Sequence, residues 1–245
     1  MANSAASANL PIIDFSKFST KEAASEKAKL YSALQNDGFI YLRGHGIAKE
    51  LLDNIFAHAK TFFAWPESEK AKLETGAAKF FHGWFSPART SGSNQFSDQK
   101  EAFDLGDDND PSRPNQWPSD WPEFRTDLNS FFDQCHSIHL DLLAALAEQV
   151  GLPPDYFNEA VEGKGRDHFF RILHYPETTA ESFKSRVRAG THTDYGTLTL
   201  LFNDNSGGLQ VRGKDGNFFD APPIEGAAIV NGQCPSHFVI EWNTA

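Results

Sequence analysis

Sulfur is scarce in this chain, whose 245 residues include two cysteines and one methionine. Cys135 and Cys234 lie far apart and form neither a CxxC pair nor a finger-like spacing. That excludes a disulfide-stapled scaffold and a thiolate zinc site, and it points to a reducing, cytoplasmic setting. Long apolar runs are also missing. No stretch approaches the ~18 residues that a bilayer span requires, so no membrane partner is expected. The opening MANSAASANL has neither the basic nor the apolar region of a signal peptide, and residues 1–9 are expected to be a disordered leader. Positive charge is the third shortage: 22 Lys and Arg stand against 33 Asp and Glu, a net charge of −11. The one basic cluster, Lys184, Arg186 and Arg188, is broken and short. Without the patch that counterion release needs, nucleic acid is not an expected partner.

Apolar side chains are plentiful, at 40% of residues with 22 Phe, enough for a large core that needs no staple. LPIIDF, from Leu10, reads as a short strand. Ser19 and Glu22 form an S-x-x-E capping box ahead of a helix to about Asn36, which Asp37-Gly38 stops. Phe39 to Leu42 is a second strand, followed by a Gly44-His45-Gly46 turn. Leu51, Leu52, Ile55, Phe56, Ala59, Phe62 and Phe63 recur at spacings of three and four, giving an amphipathic helix that Pro66 ends. Thr75 to Pro122 is rich in Gly, Ser, Asn, Asp and Pro and reads as a long irregular segment. From Phe124, apolar positions at helical spacing run to Val150, and Gly151 and Pro153 close that helix. After about residue 165 the pattern changes to short strands and turns, among them His168–Tyr175, Thr197–Phe202, Leu209–Val211 and Gly226–Asn231. Helices first and antiparallel strands later predict an α+β arrangement, with helices backing a sandwich or small barrel.

His192-Thr193-Asp194 carries the strongest chemical signal. On extended chain, residues i and i+2 project to one side, so an imidazole nitrogen and a carboxylate oxygen can converge on one point. Two such donors are two-thirds of the 2-His-1-carboxylate set that holds iron with open positions. The bland readings elsewhere are favoured. His45 and His82 read as loop or core histidines, the Phe-rich stripes as core packing, and Asp107, Asp108 and Asp110 as solvated charge without the Gly and Glu of a calcium loop.

GTHTDYGTLTLLFNDNSGGLQV, preceded by FRILHYP, resembles the isopenicillin-N-synthase-like family of Fe(II)/2-oxoglutarate-dependent dioxygenases. LPIIDFSKF, DGFIYLRGHGI, KTFFAWPESEK, GWFSP, KEAFDLG and NQWP are similar to that family's N-terminal region, in the same order. The resemblance implies a double-stranded β-helix, or jelly roll, backed by N-terminal helices. It implies a helical region over residues 10–125, then a long helix and the jelly roll over 126–245. His192 and Asp194 match the family's first two iron ligands, and Tyr175 matches a tyrosine that hydrogen-bonds the co-substrate carboxylate. Fe(II), 2-oxoglutarate and O2 are therefore the expected cofactor and co-substrates. A small organic molecule of specialised metabolism is the expected substrate, to be hydroxylated, desaturated or cyclised.

The tail departs from the family pattern. After Asn231 it reads GQCPSHFVIEWNTA, and the last cationic residue is Lys214. The arginine that would fork onto the distal carboxylate of 2-oxoglutarate therefore has no counterpart there. His237 is the only histidine after Asp194 and the one candidate third ligand, although a surface position on the tail is the favoured reading. The C-terminus is expected to be truncated, leaving the jelly roll without its last strands and with an unpaired edge. Two further readings follow from that departure. One is a non-catalytic truncated or alternatively spliced relative that keeps the scaffold; the other is an iron oxidase of the same fold that does not use 2-oxoglutarate.

Overall fold

The computed structural model describes residues 10–74, 82–86, 97–98, 100–162, 168–177, 186–187, 196–213, 216–232 and 240–242. In chain order these form β1 (Ile12–Asp14), α1 (Ala23–Asn36), β2 (Phe39–Arg43), α2 (Lys49–Phe63), α3 (Glu67–Lys70), β3 (Gly83–Phe85), β4 (Ser97–Asp98) and β5 (Glu101–Leu105). There follow α4 (Pro122–Gln149), α5 (Asn158–Glu162), β6 (Phe170–His174), β7 (Arg186–Val187), β8 (Leu198–Leu201), β9 (Leu209–Arg212), β10 (Phe218–Asp220), β11 (Ala227–Gly232) and β12 (Ile240–Trp242). They group into two units, one of residues 1–46, 135–157 and 191–245, the other of 47–134 and 158–190. The sequence boundary at 125/126 falls inside α4, whose two halves belong to different units. The expected leader, residues 1–9, lies outside the described residues.

The first unit holds a four-stranded sheet in the order β1-β2-β11-β8 and a three-stranded sheet in the order β10-β9-β12. β1 runs parallel to β2, whereas β11 is antiparallel to both β2 and β8. The N-terminal strands thus complete the sheet of the C-terminal ones. Alternation along β2 sends Phe39 and Tyr41 to one face, where they form a core with Leu209, Val211, Ala221 and Ile229. The inner faces of the two sheets therefore pack on each other as in a sandwich. Ile40 and Leu42, on the other face of β2, are also fully buried, and α1 packs on β1 and β2. The Tyr41 hydroxyl donates to the Pro222 carbonyl at 2.6 Å, fastening β2 to the loop after β10.

The second unit contains the β3-β5-β6 antiparallel sheet and the short parallel pair β4-β7. Its core is aromatic. Phe62 of α2, Phe103 of β5 and Phe124 of α4 are fully buried, with ring centroids 4.9 Å apart for Phe62 and Phe103 and 5.4 Å for Phe103 and Phe124. The helical stripe read from the sequence is core packing, with rings in tilted and edge-on contacts.

Three local expectations differ from the structure. α1 begins at Ala23 with no side-chain cap, because Lys17 takes the Glu22 carboxylate at 2.6 Å and Thr20 Oγ1 accepts from the Glu22 backbone N–H. The capping box therefore does not form. The segment from Thr75 to Pro122 contains β3, β4 and β5, and β5 is buried along its whole length although it carries Glu101 and Asp104. The tail also supplies a strand: β12 pairs antiparallel with β9, Ile240 opposite Val211 and Trp242 opposite Leu209. Among the described residues of the first unit, β8 pairs with β11 alone, as β1 does with β2, and β10 and β12 each pair with β9 alone. The long helix ends as read, with Gly151 at φ 76° and the Leu152 N–H donating back to the Ala147 carbonyl.

Candidate functional site

β6 brings the FRILHYP motif into the second unit. Its ladder with β5 places Asp104 opposite Arg171 and Glu101 opposite His174, and it ends there, one residue before Tyr175. Arg171 forks onto Asp104 through Nε at 2.7 Å and Nη2 at 2.6 Å. Asp104 is fully buried, and burial pushes its carboxyl above the usual value despite the guanidinium.

Glu101 is the centre of a larger cluster. Its Oε2 accepts from Lys70 Nζ at 2.7 Å and from Trp84 Nε1 at 2.8 Å, and its Oε1 lies 2.8 Å from His174 Nδ1. Burial alone would raise the Glu101 carboxyl; the bonds from His174, Lys70 and Trp84 outweigh it and hold the group below its ordinary value. An ionised carboxylate accepts only, so His174 Nδ1 carries the proton of that bond. Glu101, Trp84 and His174 lie within KEAFDLG, GWFSP and FRILHYP, but no local pattern connects the three. The signal was the period of two in EAFDL, which puts Glu101 on the face of Phe103 and Leu105.

In the first unit, the described chain resumes after the H-x-D triplet at Gly196, φ 112°. Thr197 Oγ1 then lies 3.2 Å from His139 Nε2 of α4. Burial, with the neighbouring His136, lowers the His139 pKa. His45 packs edge-on against the Phe202 ring at 5.5 Å. His82, in the second unit, holds the Arg113 carbonyl through Nδ1 at 3.0 Å. Both are buried, in keeping with core histidines, and burial lowers both pKa values. His192, Asp194 and His237 lie outside the described residues. By donor chemistry, an imidazole nitrogen with a carboxylate oxygen suits iron(II). Among the described residues no group of three or more His, Cys, Asp or Glu could hold a metal, so no competing centre appears there.

The acidic run behaves differently from the solvated charge expected of it. Asp108 accepts from Asn115 and Trp117 on one oxygen and from Arg125 and Asn129 on the other. Asp110 holds Ser112 and Arg113, and these bonds bring its carboxyl down to about 2. Asp107 and Asp110 tie turns, while Asp108 joins its loop to α4.

Residues 10–123 match the family described as the N-terminal region of the non-haem dioxygenases in morphine synthesis. Residues 166–233 match the 2OG-Fe(II) oxygenase superfamily. A 2-oxoglutarate-dependent dioxygenase, htyE, of Aspergillus rugulosus is 32% identical over 243 residues, covering 89% of this chain and 72% of the relative. The chain belongs to the 2OG-Fe(II) oxygenase superfamily. Proline hydroxylase buaE of Petromyces alliaceus is 33% identical, covering 81% of this chain and 66% of that protein. The crystal structure of a full-length Neurospora crassa protein in complex with alpha-KG matches with a TM-score of 0.86 at 32% identity, covering 99% of this chain and 82% of that one. These superfamily neighbours establish the jelly-roll α+β class for this chain. It spans 60–72% of the length of the curated relatives it matches.

Proposed function

We propose that this protein is an Fe(II)- and 2-oxoglutarate-dependent oxidoreductase acting on a small organic molecule of specialised metabolism in the cytoplasm. His192 and Asp194 hold the iron, and Tyr175 hydrogen-bonds the co-substrate carboxylate. His237 is the one histidine of the tail that could add a third ligand. The observation that carries this reading is the superfamily match over residues 166–233, which contains FRILHYP and HTDYG in order. The alpha-KG held by the similar Neurospora crassa protein supports the same co-substrate. Bound iron with 2-oxoglutarate and O2 supplies an oxidant able to take hydrogen from an unactivated C–H bond. The protein's own contribution is to orient the ligands and keep bulk water from them.

The test is iron content, O2 uptake and succinate formation by the purified chain and by His192→Ala and Asp194→Ala. The expected result is iron bound by the parent and lost in both variants, with any succinate formation confined to the parent. Full iron retention by either variant overturns the ligand assignment. Oxygen uptake without succinate overturns 2-oxoglutarate as co-substrate.

A further inference from the structure

Lys70 and Glu101 are 7% and 6% exposed, a depth at which an ion pair gains little net stability over an apolar pair of the same size. What such a pair supplies is direction. With Oε2 taken by Lys70 and Trp84, Oε1 is left aimed at His174. Lys70 is itself fixed by the Phe63 carbonyl at 3.1 Å. The Phe63 ring stacks on the imidazole of His174 with centroids 5.1 Å apart and planes 22° apart. His174 is therefore held at its edge by Glu101 and on its face by Phe63, at the last register pair of the β5-β6 ladder.

We propose that the Glu101–His174 hydrogen bond is a positioning device for Tyr175. By clamping the last residue of β6 it sets where the following ring projects, and with that the affinity for the dicarboxylate co-substrate. His174 and Glu101 are positioning residues here. The affinity part rests on the reading of Tyr175 as a co-substrate contact; the positional part does not.

The protein, labelled with 3-fluorotyrosine, is studied by fluorine NMR, with the Tyr175 resonance assigned through Tyr175→Phe. His174→Leu removes the bond, His174→Asn keeps an N–H donor near Nδ1, and Leu128→Ala in the α4 core is a destabilised control. Binding of 2-oxoglutarate is measured by calorimetry with Mn(II) in place of iron. His174→Leu is expected to shift or broaden the Tyr175 line and weaken binding about tenfold, while His174→Asn stays within about twofold of the parent. A Tyr175 line in His174→Leu no different from that in Leu128→Ala overturns the proposal. The line is read without ligand, so it decides the clamp whatever the affinity. A moved line together with parent-like binding by Tyr175→Phe overturns the co-substrate reading and leaves the clamp standing.

Discussion

Of the three neighbouring acids Asp107, Asp108 and Asp110, the structure singles out Asp108 as the one on which stability depends. Its carboxylate collects Trp117 Nε1 at 2.7 Å and Asn115 Nδ2 at 3.2 Å on one oxygen, and Arg125 Nε at 2.8 Å and Asn129 Nδ2 at 2.9 Å on the other. Removing the acceptor by Asp108→Ala strands the Trp117, Arg125 and Asn129 donors at once, while Asn115 Nδ2 keeps the Gly106 carbonyl at 2.9 Å. A hydrogen bond to a charged group contributes about 1.5–3 kcal/mol and a neutral one about 1 kcal/mol. Arg125 is 55% exposed and regains water, so its share is discounted. The remaining half-buried donors recover only part of theirs, and the expected net loss is about 3 kcal/mol. Asp107 Oδ1 accepts from exposed Asn109, and Asp107→Ala should cost less than Asp108→Ala.

Urea unfolding at neutral pH, with equal m-values, measures both variants on one scale. If Asp108→Ala were no more destabilised than Asp107→Ala, the view of Asp108 as the tie between its loop and α4 would be refuted. The pH dependence gives an independent reading. Burial tends to raise the Asp108 carboxyl, but the bonds from Trp117, Arg125, Asn115 and Asn129 lower it overall. Its contribution is therefore present above the unfolded carboxylate range and disappears as pH falls through the lower folded value. The gap between parent and Asp108→Ala should accordingly narrow in acid.

Burial pushes the Cys135 thiol up to about 12, so it should resist alkylation at pH 8 until the protein unfolds. Rapid labelling of this half-buried thiol in native buffer, located by peptide mass, would contradict the raised pKa. His45, His82 and His139 all have pKa values lowered by burial. The unfolded state thus binds more protons as pH falls through the ordinary histidine value near 6.5, and stability should drop there by up to about 1.4 kcal/mol per pH unit for each imidazole. A melting temperature that is level or rising from pH 7.5 to 5.5 would count against this. Phe124→Ala empties the centre of the aromatic core and should cost about 3–5 kcal/mol in urea unfolding.

How much of this could be read from the chain depended on where polarity was placed. The stripe from Leu51 to Phe63 and the helix from Phe124 to Val150 announced themselves, because apolar residues three and four apart line up on one face when the chain is helical and scatter when it is extended. β5 did not. EAFDL carries two acids in five residues, and a rule that sends charge to the surface reads it as loop; the structure buries all five because Lys70 and Arg171 meet those acids from other elements. Those partners lie 31 and 67 positions away in the chain, a distance at which no local pattern announces a pairing. The capping box failed for the opposite reason: the motif was present, but Lys17 offered Glu22 a charged partner at 2.6 Å.

The candidate iron ligands show a different division. His192 and Asp194 are legible because two donors two residues apart make a local pattern, whereas the cluster holding the end of β6 draws Lys70, Trp84, Glu101 and His174 from α3, β3, β5 and β6. A metal-ligand pair can be carried by one stretch of chain, since the ion itself supplies the convergence. A buried carboxylate with several donors needs the fold to supply it. Motif reading does not connect residues of the second kind to one another, even when, like His174 beside Tyr175, they sit inside a motif. Variation at Lys70, Trp84 or Glu101 can therefore alter the setting of Tyr175 while His192, Asp194 and Tyr175 themselves stay in place.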